Sequence, residues 1–248
     1  MAHFGLQLYT LRDRMQQDFL GTLQQVAEIG YEGVEFAGFG GLSATDLRAA
    51  LDRLGLRGVS AHIPLAQLDQ VDEITEYAKV VGLEYVVCPW LDPSMRDNYS
   101  DLMKQLGELG AKYAERGLSL CYHNHDFEFA VKVGDRYAFD YLFANTNPKH
   151  VQVELDAYWV HRAGFTATDY LERYKGRTPL LHLKDMRGDE SKAFAELGQG
   201  TLPIRSFIEE GVKNGVSWFF VEQDVCPGDA LDSVKTSFRH LRDLGFVK

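Results

Sequence analysis

Four short segments in the second half of the chain each carry two polar residues at positions i and i+2. Side chains with this spacing lie on one face of a β-strand, so each pair would point to the same side of a sheet. Imidazole and carboxylate groups bind divalent metals, transfer protons and form ion pairs. The four pairs are His123/His125, Glu154/Asp156, His182/Lys184 and Glu222/Asp224.

Apolar residues occupy the opposite phase of these segments, among them Leu120, Val153, Leu181 and Phe219. The apolar face can pack against helices while the polar face gathers in one place, where several carboxylates would repel one another. One divalent cation would offset that repulsion; an internal salt-bridge network is the alternative. Mixed imidazole and carboxylate donors favour Mn²⁺, Co²⁺ or Zn²⁺, leave Mg²⁺ and Fe²⁺ open, and disfavour Ca²⁺, which prefers oxygen ligands.

The first half of the chain offers fewer polar strand ends and more groups suited to lining a substrate pocket. Glu35 and His62 end apolar segments, where each would either line a pocket or make a structural hydrogen bond. Tryptophan rings provide flat apolar walls that suit the C–H faces of a sugar ring. The candidate lining residues are Gln7, Tyr9, Glu35, His62, Trp90 and Trp159.

Short β-rich segments alternate with longer amphipathic ones, a pattern typical of parallel strands joined by crossover helices. Eight strands are predicted, the number that a closed parallel barrel requires. Their ranges are 4–9, 33–36, 58–63, 85–90, 118–124, 151–156, 180–185 and 219–224. The predicted helices include 19–29, 47–54, 99–116, 204–213 and 229–244.

Together these elements predict a single (β/α)₈ TIM-barrel domain over residues 1–248. A doubly wound open sheet is the competing architecture, but no Gly-x-Gly-x-x-Gly motif follows the first strand. In such a barrel the active site lies at the carboxyl ends of the strands, which is where the four polar pairs occur.

Charge and composition limit the range of partners. The 36 acidic residues outnumber the 26 basic ones, and the formal net charge of -10 argues against nucleic-acid binding.

Cys88, Cys121 and Cys226 form no C-x-x-C motif, and the first two lie in apolar segments that predict buried thiols. Neither a signal-peptide pattern nor a membrane-spanning apolar run is found, so we expect a cytoplasmic protein without membrane partners. A homo-oligomer stays open.

Several motifs resemble the xylose-isomerase-like TIM-barrel family, which includes sugar phosphate isomerases, epimerases and inosose dehydratases. The similarity extends from the Gly-Leu-Gln-Leu-Tyr segment at 5–9 to the final helix, and it includes Gly-Val-Glu-Phe at 33–36. The sharper motifs are Tyr-His-Asn-His at 122–125, Glu-Leu-Asp at 154–156, His-Leu-Lys-Asp at 182–185 and Glu-Gln-Asp at 222–224.

The resemblance implies one metal ion held by Glu, Asp, His and Glu from four successive late strands. Asp156, His182 and Glu222 match the last three positions, and His123 stands where many epimerases carry glutamate. His123 would therefore either bind the metal or orient another ligand. This departure puts the two-glutamate epimerase mechanism in doubt, and the Tyr-His-x-His and Glu-Gln-Asp motifs are similar to the inosose dehydratase branch.

The activity implied is metal-dependent proton abstraction next to a carbonyl of a small sugar, keto-sugar, sugar phosphate or polyol. Returning the proton gives isomerisation or epimerisation, and losing a β-hydroxyl gives dehydration of the inosose type. Glu222 is the predicted base, with His123 or Glu154 transferring a proton on the other side. Lys184 would hold a substrate oxygen or form a salt bridge, and His125 would contact the substrate.

Two other functional classes stay open at this level. Endonuclease relatives share the fold, but their need for several metals and a DNA-binding surface fits poorly with an acidic chain. A sugar-binding barrel without catalysis is disfavoured by the retained ligand-type residues, although fold analogy alone does not decide function.

Overall fold

The computed structural model describes residues 2–96 and 98–248, so residues 1 and 97 of the predicted domain lie outside the described residues. The strands, numbered along the chain, are β1 (His3–Gln7), β2 (Gly33–Phe36), β3 (Arg57–His62), β4 (Tyr85–Cys88), β5 (Ser119–His123), β6 (Lys132–Val133), β7 (Arg136–Tyr137), β8 (Val151–Asp156), β9 (Leu180–Leu183), β10 (Asp185–Met186), β11 (Phe194–Ala195) and β12 (Trp218–Val221). Eight of them pair in parallel and close into a barrel in the order β1–β12–β9–β8–β5–β4–β3–β2. The others form two short antiparallel hairpins, β6–β7 and β10–β11. The predicted (β/α)₈ TIM barrel is confirmed.

Helices connect the barrel strands and pack on the outside of the sheet. They are α1 (Arg12–Gln17), α2 (Phe19–Ile29), α3 (Ala44–Leu54), α4 (Val71–Val81), α5 (Tyr99–Glu115), α6 (Phe127–Ala130), α7 (Ala138–Ala144), α8 (Ala157–Arg162), α9 (Ala167–Arg173), α10 (Ile204–Asn214) and α11 (Ala230–Asp243). Asp18 caps α2 by accepting a hydrogen bond from Gly21 N–H at 2.9 Å, and Gly30 ends it with φ at 114°. Within residues 2–96 and 98–248, none of these helices has the length and apolar character needed to cross a membrane.

Strand alternation divides the barrel side chains into two sets. Leu120, Val153, Leu181 and Phe219 belong to the main hydrophobic core, which includes the inner faces of the helices. The other phase points into the barrel, where a second apolar cluster lies. That cluster consists of Val59, Val87, Cys121, Leu180, Trp218 and Phe220.

Strand register then places polar residues of the inward phase next to one another on adjacent strands. His123 pairs with Glu154, and Asp156 pairs with His182, across adjacent parallel strands. Phe220 of β12 also pairs with His182. The next residue of the inward phase is Glu222, directly after β12, so its side chain lies beyond the apolar cluster towards the carboxyl end of the barrel. The polar ends of four strands are therefore assembled at the carboxyl end of the barrel, as the sequence pattern predicts.

The structure confirms all eight predicted strands and changes some of their limits. Strand 151–156 and helix 19–29 have the predicted bounds. The first strand ends at Gln7 rather than at residue 9, because Gln7 Oε1 accepts a hydrogen bond from Tyr9 N–H at 2.9 Å and a 3₁₀ turn begins. Helices α6 to α9 span between 4 and 7 residues, too short for a clear helical period. Helix α4 was not predicted, although its 11 residues are enough to show a helical period in the sequence.

Candidate active site

Four side chains converge at the carboxyl ends of β5, β8, β9 and β12. One donor atom from each of His123, Asp156, His182 and Glu222 lies within 4.8 Å of the others, and all four residues are buried. His182 Nδ1 lies 2.7 Å from Glu222 Oε2, and His123 Nε2 lies 3.6 Å from Asp156 Oδ2. We call these four residues the ligand cluster; they are the set that the sequence motifs predict as metal ligands.

A second, overlapping group combines His62 with His123, Glu154 and His182. Glu154 Oε2 lies 2.8 Å from His62 Nε2 and 2.9 Å from His123 Nδ1. Because His123 directs Nδ1 to Glu154, its Nε2 lies on the side of Asp156. A carboxylate that orients imidazoles in this way is the usual partner of metal-binding histidines.

Glu35 makes the corresponding contact with the other histidine of the ligand cluster. Its Oε1 lies 2.7 Å from His182 Nε2 and accepts a hydrogen bond from Gln7 Nε2 at 2.7 Å. Its Oε2 accepts a hydrogen bond from Ser60 Oγ at 2.6 Å. With Nε2 held by Glu35, His182 directs Nδ1 to Glu222. Ser60 was not predicted, and only its strand position beside Glu35 marks it in the sequence.

Lys184 is a buried cation in contact with three carboxylates. Its Nζ lies 3.0 Å from Asp156 Oδ2, 2.7 Å from Glu222 Oε2 and 2.7 Å from Asp224 Oδ2. Burial alone would lower the pKa of the ammonium group, but the three carboxylates raise it well above its usual value. The salt-bridge alternative predicted for Lys184 is thus present, with the group protonated at neutral pH.

Burial and charge set different protonation states within the ligand cluster. Burial acts to raise the pKa of Glu222, but Lys184 and His182 hold it well below the usual range, so this carboxylate is ionised. Burial raises the pKa of Asp156 to about 6, and Lys184 opposes that shift. Burial and the charge of His182 lower the pKa of His123 well below its usual value. Burial acts to lower the pKa of His182, but the carboxylates around it raise the pKa well above its usual value, so His182 is protonated in the metal-free protein. A neutral imidazole is the form that binds a metal, so His182 would lose a proton when a metal binds.

Two buried carboxylate oxygens near the cluster, Glu154 Oε1 and Asp156 Oδ2, accept no hydrogen bond from residues 2–96 or 98–248. Lys184 Nζ lies 3.0 Å from Asp156 Oδ2, an ionic contact without hydrogen-bond geometry. Buried oxygens without a donor are costly, and a divalent transition ion takes both such oxygens and neutral imidazoles as ligands. The donor set therefore fits a metal ion in the ligand cluster.

A cleft of about 830 Å³ opens over these residues. The predicted groups Gln7, Glu35, Glu154 and Lys184 are not part of its walls. Two buried nitrogens of wall residues, His125 Nδ1 and Trp159 Nε1, have no hydrogen-bond partner in the described part of the chain. The predicted site residues that do line the cleft are Tyr9, His62, Trp90, His123, His125, Trp159 and Glu222, and Asp224 lines it as well.

Three further residues of this region were not predicted. The Arg96 guanidinium stacks 3.6 Å from the ring centroid of Phe127, and both side chains line the cleft. Glu128 is buried and accepts hydrogen bonds from Tyr122 Oη at 2.6 Å and from His125 N–H at 2.8 Å. Burial raises its pKa to about 7. The only signal for Glu128 in the sequence was its position between two phenylalanines in the segment 126–129.

The model of the xylose isomerase-like TIM barrel family matches residues 23–244, and the chain belongs to this family. An inosose dehydratase from Geobacillus kaustophilus is 25% identical over 205 residues, which cover 72% of this chain and 65% of that protein. The chain thus matches slightly less than two thirds of the length of this relative.

Solved structures show the same fold. A sugar phosphate isomerase/epimerase from Parabacteroides distasonis has a TM-score of 0.82 at 24% identity, with 100% of this chain and 95% of that chain covered. The IOLI protein, solved with a zinc atom bound, has a TM-score of 0.78 at 15% identity and covers 98% and 97% of the two chains. Likeness at these identities establishes the fold, and the chemistry must be argued from the residues of this chain.

Proposed function

We propose that the protein is a metal-dependent sugar isomerase or epimerase that removes a proton from the carbon next to a carbonyl. The observation that carries the proposal is the convergence of four buried ligand-type side chains beneath an aromatic-lined cleft. The similarity to inosose dehydratases supports a dehydratase as the second candidate, because both reactions begin with the same proton abstraction.

His123, Asp156, His182 and Glu222 would hold one divalent ion, with Mn²⁺, Co²⁺ and Zn²⁺ favoured by the mixed donors. When bound, the ion would act as a Lewis acid that increases the acidity of a C–H bond between carbonyl and hydroxyl groups. The zinc atom bound in the IOLI structure, which shares this fold, supports a divalent metal in this protein.

Glu222 is the proposed base. It lines the cleft, and Lys184 and His182 keep its pKa low against the effect of burial, so it enters the reaction as a carboxylate. Lys184 Nζ lies 2.7 Å from Glu222 Oε2. From there its positive charge would stabilise the negative charge that develops on the substrate oxygen.

Proton return is assigned to an imidazole rather than to Glu154. His62 and His123 both line the cleft, whereas Glu154 lies beneath it and contacts each of them through Oε2. Glu154 would therefore orient the two imidazoles, and His62, which is not a proposed ligand, would transfer the proton. Delivery to the opposite face of the same carbon gives an epimer, and delivery to the former carbonyl carbon gives an isomer. Delivery to a β-hydroxyl releases water.

The decisive experiment compares wild type with Glu222→Gln. Keto-sugars and keto-inositols are incubated in D₂O with protein loaded with Mn²⁺, Co²⁺ or Zn²⁺, and NMR follows deuterium entering the carbon next to the carbonyl. We expect Glu222→Gln to lower the exchange rate by roughly 10²–10⁴-fold, the usual contribution of a positioned base. Metal analysis should show that the variant keeps most of its metal, because three ligands remain.

The matched control is Glu73→Gln, which alters an exposed glutamate on α4 and should exchange at the wild-type rate. Wild-type exchange by Glu222→Gln would exclude Glu222 as the base. Absence of both bound metal and exchange in the wild type would reject the proposed activity. The product that accumulates separates the two candidates, since only the dehydratase yields an unsaturated or dehydrated sugar.

A further inference from the structure

The cleft is larger than a single sugar ring requires. Its volume of about 830 Å³ is near the upper end of the roughly 300–1,000 Å³ typical of small-molecule sites. A hexose, with twelve heavy atoms, fills only part of that space. Beyond the groups assigned to chemistry, much of the lining is apolar or aromatic, including Tyr9, Phe39, Ile63, Pro64, Trp90 and Phe127.

Two aromatic rings of the cleft are exposed yet held in place. Tyr9 and Trp90 have exposed fractions of 43% and 45%. The Arg12 guanidinium lies 4.5 Å from the Tyr9 ring centroid, and the Arg96 guanidinium lies 4.9 Å from the Trp90 ring. Arg96 is itself anchored, because its Nε and Nη2 donate to the Leu91 carbonyl at 3.0 and 2.9 Å. Each ring is thus oriented without being covered.

Trp90 and Arg96 are the outer members of a row of neighbouring planar groups that leads towards the ligand cluster. The guanidinium lies 3.6 Å from the Phe127 ring centroid, and the Phe127 and His125 rings are 5.5 Å apart with an interplanar angle of 10°. His125 in turn lies 5.2 Å from Trp159. We call these five residues the stacked row. It links the exposed rim with the groups assigned to sugar binding.

The chemistry of the stacked row defines what it can bind. Exposed rings offer apolar area to a ligand, and rings already oriented lose little conformational freedom when a flat group stacks on them. A second sugar ring would require many hydrogen-bonding partners. Away from the groups assigned to chemistry, the polar side chains of the cleft wall are Gln67, Arg96 and Asp126. An aromatic ring therefore fits this part of the cleft better than a second sugar does.

We propose that the substrate is a glycoside that carries a ketone on its sugar ring, with the sugar unit over the ligand cluster and an aromatic aglycone along the stacked row. The position of the sugar unit rests on the proposed function. The position of the aglycone rests on the geometry of Trp90, Arg96 and Phe127 alone.

The test measures dissociation constants by titration calorimetry on the full chain as purified, with its metal content determined. The ligands are phenyl β-D-glucopyranoside, methyl β-D-glucopyranoside and cellobiose. We expect the phenyl glucoside to bind at least tenfold more tightly than the methyl glucoside, the effect of about 1.4 kcal/mol of additional stacking and burial. A ratio near one, or no binding of the phenyl glucoside at millimolar concentration, overturns the proposal. Cellobiose binding more tightly than the phenyl glucoside would show a second sugar subsite instead.

Variants locate the effect on the stacked row. Trp90→Ala should reduce the methyl-to-phenyl ratio of dissociation constants to below threefold, and Trp90→Leu, which keeps an apolar side chain but loses the flat ring, should do the same. The matched control is Val212→Ala, an exposed apolar side chain on α10 away from the cleft, which should keep the wild-type ratio. An unchanged ratio in both Trp90 variants, with wild-type melting temperatures, overturns the proposal.

The outcome is separable from that of the proposed function. Aryl selectivity that depends on Trp90, without deuterium exchange in any keto-sugar, rejects the proposed activity and leaves the aglycone site intact. Glu222-dependent exchange with a methyl-to-phenyl ratio near one confirms the activity and rejects the aglycone site.

Discussion

The ammonium of Lys184 contacts the same oxygens that the ligand cluster would present to a metal. Asp156 Oδ2 and Glu222 Oε2 lie 3.0 and 2.7 Å from Nζ, and Asp224 Oδ2 lies 2.7 Å away on the other side. A buried carboxylate without a counter-charge is strongly destabilising. Lys184, together with the protonated His182, therefore supplies positive charge to the site when no metal is bound, and a bound ion would share or take over two of the three carboxylates that contact Lys184.

Removing this charge should make the fold depend on metal. We expect Lys184→Met to lower the melting temperature of EDTA-treated protein by about 10 °C, from the roughly 3–5 kcal/mol lost when one partner of a buried ion pair is removed. Zinc should raise the melting temperature more in the variant than in the wild type. Differential scanning fluorimetry measures both.

Lys213→Met, which removes an exposed lysine paired with Glu210 at 3.0 Å, is the control and should behave as wild type. Equal zinc responses in Lys184→Met and wild type would show that Lys184 and the metal do not share carboxylates.

At the scale of elements, the segment after β9 depends on one carboxylate. The turn and hairpin that follow Lys184 bring the Phe194 ring against Tyr158, with centroids 4.5 Å apart, and 5.8 Å from Trp159. Asp185 holds this segment by accepting backbone hydrogen bonds at 2.8–3.1 Å. Its donors are the N–H groups of Met186, Gly198, Gly200 and Leu202. Asp224, at the end of the next barrel strand, instead contacts Lys184 Nζ at 2.7 Å.

Removing the Asp185 carboxylate should make this segment more mobile and should affect the adjacent site. Asp185→Ala leaves several backbone donors without an acceptor, which should lower the free energy of unfolding by about 3 kcal/mol. This loss corresponds to a fall in melting temperature of roughly 6–12 °C. Hydrogen exchange of the Gly198, Gly200 and Leu202 amides should accelerate in parallel. Asp189→Ala, in the same segment but exposed, is the control. Unchanged amide exchange in Asp185→Ala would contradict the anchoring role.

At the scale of the whole molecule, the proposed ligands join four strands that lie far apart in the sequence. His123 and Glu222 come from β5 and from the end of β12, and Asp156 and His182 come from the two strands between them. A ligand that binds only the folded state stabilises it in proportion to its concentration relative to its dissociation constant. A metal here would therefore stabilise half of the barrel at once.

Metal stabilisation should increase with pH. In the metal-free protein, burial raises the pKa of Asp156 from 3.8 to about 6, so the folded state favours the protonated form. The contribution of Asp156 to the free energy of unfolding therefore falls as the pH rises from 3.8 to about 6. Metal binding requires the ionised form and reverses that preference. We expect the gain in melting temperature with zinc to be larger at pH 7.5 than at pH 5.5. A gain that is independent of pH would argue against Asp156 as a ligand.

Local patterns predicted the barrel and its polar strand ends, and the family resemblance selected the ligand cluster among them. Alternation along the late strands assigns each residue to a face, and for parallel strands the carboxyl ends meet at one side of the barrel. His123, Asp156, His182 and Glu222 could therefore be brought together without coordinates, with the family resemblance selecting them. The short helices α6 to α9 could not be found in this way, because fewer than two turns carry no clear period.

Contacts between distant segments were decided only by the tertiary structure. Glu35 and His182 are separated by 147 residues, yet barrel closure puts Oε1 and Nε2 2.7 Å apart and so decides which imidazole nitrogen meets Glu222. The pairing of Lys184 with three carboxylates, and the stacking of Arg96 between Trp90 and Phe127, likewise depend on strand register and loop conformation. The sequence by itself determined which chemical groups gather at the barrel mouth, since that follows from periodicity. Their mutual orientation and the extent of the cleft follow from packing between segments, which periodicity does not specify.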